Sequence, residues 1–541
     1  MDVAEAPSIS TAIRDHRIVI HNTKRGSKRV LRGFMIKAGV AAFGGDVPSS
    51  EELAEIAAHP FRMLIDGRPC TASDGATLDT LNPALGERLT SIPNASGEDI
   101  DRAVKAAKSA QREWKQRTYP ERRAAVLKLA AILREHAPVL GALDSLESGN
   151  IYSGMRADPV YAADAIEYLC SIGYELKGEA TQLDDGLHYT RREPFGVVAR
   201  LLPFNHPAYG FGVAAAAPLL AGNALIMKPS PHTSLSALLI GELVADVFPP
   251  GVLTILTGSN ERVAVPLVNH PGIDRLSLVG STDAGRAVMR AAAERLVPLT
   301  LELGGKNALI VFPDADLDLA ADTAMAGMNF SWQAASCGST SRILVHSAVR
   351  RAFEERLVAR LKALRVRPPF DPAAQMGSIS FKALYDRCLA YLESGRRDGA
   401  RLAVGGEKPS GAEFECGLYL TPALFTDATA EMRIAQEEIF GPIITMIEWS
   451  DYDRMIGIAN GVPLGLTAAV ITDDLNMVQQ VERDLDVGYI EVNGPVSWAL
   501  GSPFGGIKLS GFGREGNLEE IESYTYLKSV NIRRRPSRLS L

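Results

Sequence analysis

The sequence predicts an α/β protein built from two doubly wound domains, and three observations carry that reading. Short apolar runs at 197–202, 224–227, 252–256 and 276–279 are separated by stretches of helical character such as 235–248. A second alternating series begins at 308–312 and continues through 342–346 and 443–448. At 541 residues the chain is also too long for one simple core. Strands that alternate with helices pair in parallel through crossover connections, which winds helices over both faces of a sheet.

The elements follow in order. Between Arg14 and Lys37 there are eight basic residues and one acidic residue, Asp15. Blocks of like charge are usually solvated, so residues 1–60 are expected to be a flexible extension in preference to a targeting segment. Residues 63–69 and 77–82 read as short strands broken by the Asp-Gly turns Asp66-Gly67 and Asp74-Gly75. Ser96-Gly97-Glu98-Asp99 is a helix start, followed by Ile100, Ala103, Val104 and Ala107 at helical spacing. Helical character then runs to about Leu176. Residues 182–192 alternate as a hairpin does. The stretch 209–227 contains Gly210, Gly212, Pro218, Gly222 and Asn223, and reads as a buried helix entering a strand. A membrane span needs about 20 mainly apolar residues, and no segment qualifies convincingly.

Composition narrows the function. The chain is 46% hydrophobic and 22% charged with a net charge of −7, which argues against nucleic acid as its partner. The five cysteines, Cys70, Cys170, Cys337, Cys388 and Cys416, form no C-x-x-C pair. That pattern disfavours a zinc site or a disulfide framework, so no metal is expected, and it fits a reducing cytoplasm.

Two stretches carry chemistry. Gly280-Ser281-Thr282-Asp283-Ala284-Gly285 joins a predicted strand to a predicted helix, where backbone N–H groups and the helix dipole can face a phosphate. Alone it is a weak signal, because such turns often serve only the turn. Glu302-Leu303-Gly304-Gly305-Lys306 is followed by Cys337 in the small polar setting Ser336-Cys337-Gly338-Ser339. A thiol and a carboxylate are the minimal pair for covalent oxidation of an aldehyde: one attacks the carbonyl, the other activates water against the thioester. A lone cysteine is more often inert and buried; the polar setting favours an accessible thiol.

Seven motifs in one order decide the matter. They are Pro203-Phe204-Asn205-His206-Pro207, Lys228-Pro229-Ser230, Gly280-Ser281-Thr282, Glu302-Leu303-Gly304-Gly305-Lys306, Cys337, Glu437-Glu438-Ile439-Phe440-Gly441-Pro442 and Pro503-Phe504-Gly505-Gly506-Ile507-Lys508. From about Met63 to Lys528 the chain resembles the aldehyde dehydrogenase superfamily. The resemblance implies Cys337 as nucleophile, Glu302 as general base and Asn205 as oxyanion donor beside the backbone N–H of Cys337. It implies NAD or NADP as cofactor. Lys228 and Ser230 would hold the adenosine ribose, Ser281 would face the pyrophosphate, and Glu438 the nicotinamide ribose. Phe440 and the Leu303 carbonyl would meet the nicotinamide, with Phe204, Pro231, Gly258, Gly280, Thr282 and Gly285 completing the cofactor lining. His206, Tyr209, Gly210, Val213, Ser336, Gly338, Trp498 and Phe504 would line the substrate tunnel.

The resemblance further implies an aldehyde dehydrogenase-like fold in three modules. These are a cofactor domain at 61–304 interrupted by a hairpin at 177–194, a catalytic domain at 305–509, and a β arm from 177–194 and 521–541. Such an arm implies a homodimer or homotetramer, since exposed strand edges need covering. Three features depart from the family pattern. Ala334-Ala335-Ser336 stands where Gly-Gln commonly precedes the nucleophile. One residue is inserted between Phe330 and Cys337, so a different loop path is expected. Pro231 occupies a position often acidic in strictly NAD-dependent members, and without that carboxylate a 2′-phosphate is not repelled. The tunnel positions include no Arg or Lys, so a bulky uncharged aldehyde, aromatic or medium-chain, is expected. Acylating relatives that use coenzyme A generally lack the Glu302 carboxylate, and a non-catalytic protein would have no reason to keep Cys337, Glu302 and Asn205 together.

Overall fold

The computed structural model describes residues 43–534. Its first sheet runs, edge to edge, through Arg68–Cys70, Met63–Ile65, Leu253–Ile255, Ala224–Lys228, Val197–Leu201, Arg275–Val279, Leu299–Glu302 and Gly511–Phe512. The five strands from Leu253–Ile255 to Leu299–Glu302 are parallel; the edges are antiparallel. Both faces are covered, so the strands Val197–Leu201 and Ala224–Lys228 are buried at every position, and this is why they read as continuous apolar runs. Chain order reverses between the neighbours Val197–Leu201 and Arg275–Val279. Ligands of doubly wound sheets bind outside the carboxyl ends of strands at such a point.

The second sheet orders Arg401–Val404, Ala423–Thr426, Ile443–Trp449, Arg342–His346, Ala308–Val311, Thr467–Ile471 and Tyr489–Val492. Only Arg401–Val404, at an edge, is antiparallel to its neighbour. A separate three-stranded sheet pairs Thr525–Arg533 with Gly186–Pro194 and that strand with Ala180–Leu183. The α/β architecture with two wound sheets and a β arm is the one expected. No described helix is long and apolar enough to cross a membrane.

Local signals explain most boundaries. Ser96 caps the helix Gly97–Trp114, with Asp99 reaching back to the Ser96 N–H at 2.9 Å. Helices Tyr119–Glu135, Ala137–Ser148 and Tyr152–Ile172 complete the helical region. Two expectations need correction. The helix expected over 235–248 spans Leu235–Leu243 and continues as turns over 244–247; at the far end Phe248 precedes Pro249, and a residue before proline is pushed out of helical geometry. Residues 1–60 are not flexible throughout: Ser50–Ala57 is a helix with a Ser49–Glu52 capping box, burying Ile56 and Ala57. The basic stretch 14–37 lies outside the described residues.

Candidate active site

The carboxyl ends of the parallel strands in the first sheet open into one cleft of about 660 Å³, within the range of about 300–1,000 Å³ for small-molecule sites. Cys337, Glu302 and Asn205 all line it. So do Phe204, Lys228, Ser230, Pro231, Gly280, Ser281, Leu303, Glu438 and Phe440. The chain order of the strands delivers them: Asn205 follows Val197–Leu201, Lys228 ends its strand, Ser281 follows Arg275–Val279, and Glu302 ends Leu299–Glu302.

Cys337 sits on a loop with an uncommon backbone. Asn329, Gln333 and Ala334 have φ of 55°, 56° and 61°, and left-handed non-glycine residues cost about 1–3 kcal/mol each unless their surroundings impose them. Here the surroundings do. Gln333 Nε2 donates to the Ser148 carbonyl at 2.8 Å and also to Asn150 Oδ1, while Ser380 Oγ donates to Gln333 Oε1 at 3.0 Å. Asn205 Nδ2 donates to the Ala335 carbonyl at 2.8 Å. Asn307 Nδ2 donates to the carbonyls of Cys337 at 2.6 Å and Ser339 at 3.0 Å. The loop that carries Cys337 is thus clamped on both sides of the thiol.

Both Glu302 and Cys337 are held away from charge. Burial pushes the Glu302 carboxyl well above its usual range; Glu515 and Glu438 raise it further against the opposing Arg200 and Arg514. Its Oε1 is buried with no hydrogen-bond partner among the described residues. Cys337 reaches the cleft surface but is enclosed on most sides, and burial, then Glu302 and Glu438, push its thiol up as well. Glu438 accepts the Gly305 N–H at 2.9 Å and lies so close to Gly304 that a Cβ there would fall 2.0 Å from its Oε2. A glycine is required at 304 for that approach.

The cleft suits a dinucleotide. Ser281 lines the cleft and caps the helix Thr282–Arg295, accepting the Ala284 N–H at 3.3 Å. Lys228 is buried, bonded to Asn260 at 2.9 Å, and lowered by burial to about 8. Phe440 packs edge-on to Phe204 with ring centroids 5.7 Å apart. Gly258, Thr282 and Gly285 do not line the cleft. Gly258, at φ 142°, leaves room for Asn94, and Gly285 lets its helix close onto Leu303.

The expected tunnel residues lie outside the cleft. His206, Tyr209 and Trp498 form one aromatic series, with centroids 5.8 Å and 5.9 Å apart along it. Gly210 has no atom within 4 Å of where a Cβ would be. Val213 lies one turn further along the same helix, Pro207–Ala221. Ser336 and Gly338 flank Cys337, and Gly338 faces Val496. Phe504 packs on Tyr489 at 5.7 Å. Sequence reasoning missed Asn307, Gln333, Asn150, Arg200 and Glu515. Arg200 had a signal, a charge inside an apolar run; Glu515 had none.

A thiol and a carboxyl facing one cleft at the switch point of a doubly wound sheet are the arrangement of a nucleotide-dependent oxidoreductase. The comparisons give the family. The aldehyde dehydrogenase family model matches residues 70–530. Aldehyde dehydrogenase tropH of Talaromyces stipitatus is 41% identical over 478 residues, 87% of this chain and 93% of that protein. The structure of betaine aldehyde dehydrogenase from Staphylococcus aureus in complex with NAD+ superposes with a TM-score of 0.88 at 30% identity, covering 91% of this chain and 98% of that one. An NAD+ complex of aldehyde dehydrogenase from Bacillus cereus gives 0.87 at 32% identity, covering 91% and 100%. The chain belongs to the aldehyde dehydrogenase family and is an oxidoreductase acting on aldehydes with NAD or NADP.

Proposed function

We propose that this enzyme oxidises a bulky uncharged aldehyde to its carboxylic acid through a thiohemiacetal and then a thioester on Cys337. The observation that carries the reading is the convergence of Cys337, Glu302 and Asn205 on one cleft, with Asn205 bonded to the nucleophile's own loop. The Cys337 sulfur adds to the carbonyl carbon, and the oxygen gains negative charge between the Asn205 amide and the Cys337 N–H. NAD(P)+, when bound, accepts the hydride that leaves this carbon. Lys228, Ser230, Ser281 and Glu438 would hold it. Glu302 then takes a proton from water as the water attacks the thioester, releasing the acid and the thiol. A raised Glu302 pKa strengthens it as a base once ionised.

For the substrate, the support is the open space at Gly210, the aromatic faces of Tyr209 and Trp498, and the lack of a lysine or arginine among the tunnel positions. The strand edges of the Thr525–Arg533 sheet favour a homodimer or homotetramer, which light scattering on the purified protein measures. The test of the chemistry is NAD(P)H formation across an aldehyde panel, with and without coenzyme A. Turnover should be independent of coenzyme A. Cys337→Ala should abolish it, whereas alanine at Cys70, Cys170, Cys388 or Cys416 should not. Substantial turnover by Cys337→Ala would sink the mechanism.

A further inference from the structure

His206 follows the oxyanion residue Asn205 directly and caps the helix Pro207–Ala221. Its Nδ1 lies 2.9 Å from Oδ2 of Asp158, whose side chain is only 4% exposed, against 17% for the histidine. Buried aspartates are rare without a partner, and this one is spent on orienting an imidazole. A carboxylate accepts, so Nδ1 carries a proton, and the tautomer this contact selects has its lone pair at Nε2. Nε2 has no hydrogen-bond partner among the described residues, and it is not among the atoms sealed from solvent.

The surroundings say what meets that lone pair. The indole of Trp332, on the turn leading to Cys337, stands edge-on to the His206 ring with centroids 4.0 Å apart. Tyr209 also adjoins His206, with ring centroids 5.8 Å apart, and burial pushes its phenol up, followed by the charge of Asp158. The imidazole therefore lies among aromatic rings, one of them on the turn that leads to Cys337, with open space at Gly210. Aromatic faces hold a ring; a fixed acceptor selects a ring that carries a donor.

We propose that Asp158 fixes His206 as a hydrogen-bond acceptor for the substrate, and that the preferred substrate is an aromatic aldehyde bearing a hydroxyl group. His206 is the specificity-determining residue and Asp158 a positioning residue. The inference rests on the tunnel reading above, that the aldehyde reaches Cys337 past His206 and Tyr209.

The test compares each hydroxybenzaldehyde isomer with its methoxy counterpart, which has similar bulk and no donor, alongside benzaldehyde, hexanal and acetaldehyde. The full-length enzyme should favour one hydroxyl isomer over its methoxy partner by about tenfold or more in kcat/KM. In His206→Phe that ratio should fall to about one. His206→Gln, which restores an acceptor oxygen, should recover part of it, and Asp158→Asn should lower it chiefly through KM. Because the ratio is taken within each variant, loss of folded protein cancels. Equal ratios in the wild type and His206→Phe, or no hydroxyl preference at any isomer, overturn the proposal alone. Oxidation of acetaldehyde with no aromatic substrate accepted overturns the bulky-aldehyde reading, and this proposal with it.

Discussion

Asn205 Nδ2 donates to the backbone carbonyl of Ala335 at 2.8 Å, two residues before Cys337. One amide hydrogen thereby fixes the loop, and in the proposed mechanism the other would meet the oxyanion. The same side chain ties the first sheet's switch-point strand to the loop that carries the thiol.

That dual role predicts a defined loss for Asn205→Ala. Removing one oxyanion donor costs about 10²–10³ in kcat, and here the loop also loses a tether. Asn205→Ala should therefore show that drop in kcat together with faster alkylation of Cys337 by iodoacetamide. Wild-type kcat in this variant would remove Asn205 from the chemistry.

The environment of Glu302 is adverse to charge. Its carboxyl is held well above the usual range by burial, then by Glu515. A general base works only when ionised, so a raised pKa moves the acid limb of kcat to higher pH. Turnover should climb over a pH range higher than an ordinary carboxylate would set. Glu302→Gln should lose that limb and slow turnover by about 10²–10⁴, while a single turnover still yields NAD(P)H, because hydride leaves before the thioester is hydrolysed. Wild-type turnover in Glu302→Gln would assign deacylation to another group.

Pro231 lines the cleft beside Ser230 and brings no negative charge to it. The enzyme should accept both cofactors. Pro231→Glu should lower the NADP-to-NAD ratio of kcat/KM by at least about tenfold, equal to about 1.4 kcal/mol, through repulsion of the 2′-phosphate. An unchanged ratio would mean that Pro231 does not face the ribose.

How far the sequence reached follows from what each signal is made of. The parallel strands were legible because both faces are covered, which leaves an apolar run between turns. Gly511–Phe512 was not: two residues carry no period, and they join the first sheet only by pairing with Leu301 and Glu302. Site residues carried by contiguous motifs, Glu302 and Lys228 among them, fell on the cleft. Residues that act through distant partners did not announce themselves. Arg200 is completed by Glu515 and Glu520 from the far end of the chain, and Gln333 by Ser148, Asn150 and Ser380. Their meaning is non-local, and it exists only once the loop is folded.

Trp498 gives the last prediction. Its indole stands edge-on to Tyr209 at 5.9 Å, its Nε1 donates to the Ser502 carbonyl at 3.2 Å, and a Cβ at Gly516 would collide with its ring. A ring so fixed can serve as a wall for the substrate or simply as packing beneath its loop. The two roles differ in what they do across substrates. A packing role lowers kcat/KM for every aldehyde alike, because the fraction of intact sites falls. A wall loses contact only with substrates large enough to reach it, and aromatic pairs contribute about 0.5–1.5 kcal/mol beyond area burial. Trp498→Ala should therefore lower kcat/KM for benzaldehyde and hexanal about tenfold more than for acetaldehyde. The wild type should meanwhile prefer both larger aldehydes to acetaldehyde and to succinic semialdehyde. A uniform loss would make Trp498 packing, and a wild-type preference for succinic semialdehyde would require a cationic anchor that none of the tunnel positions supplies.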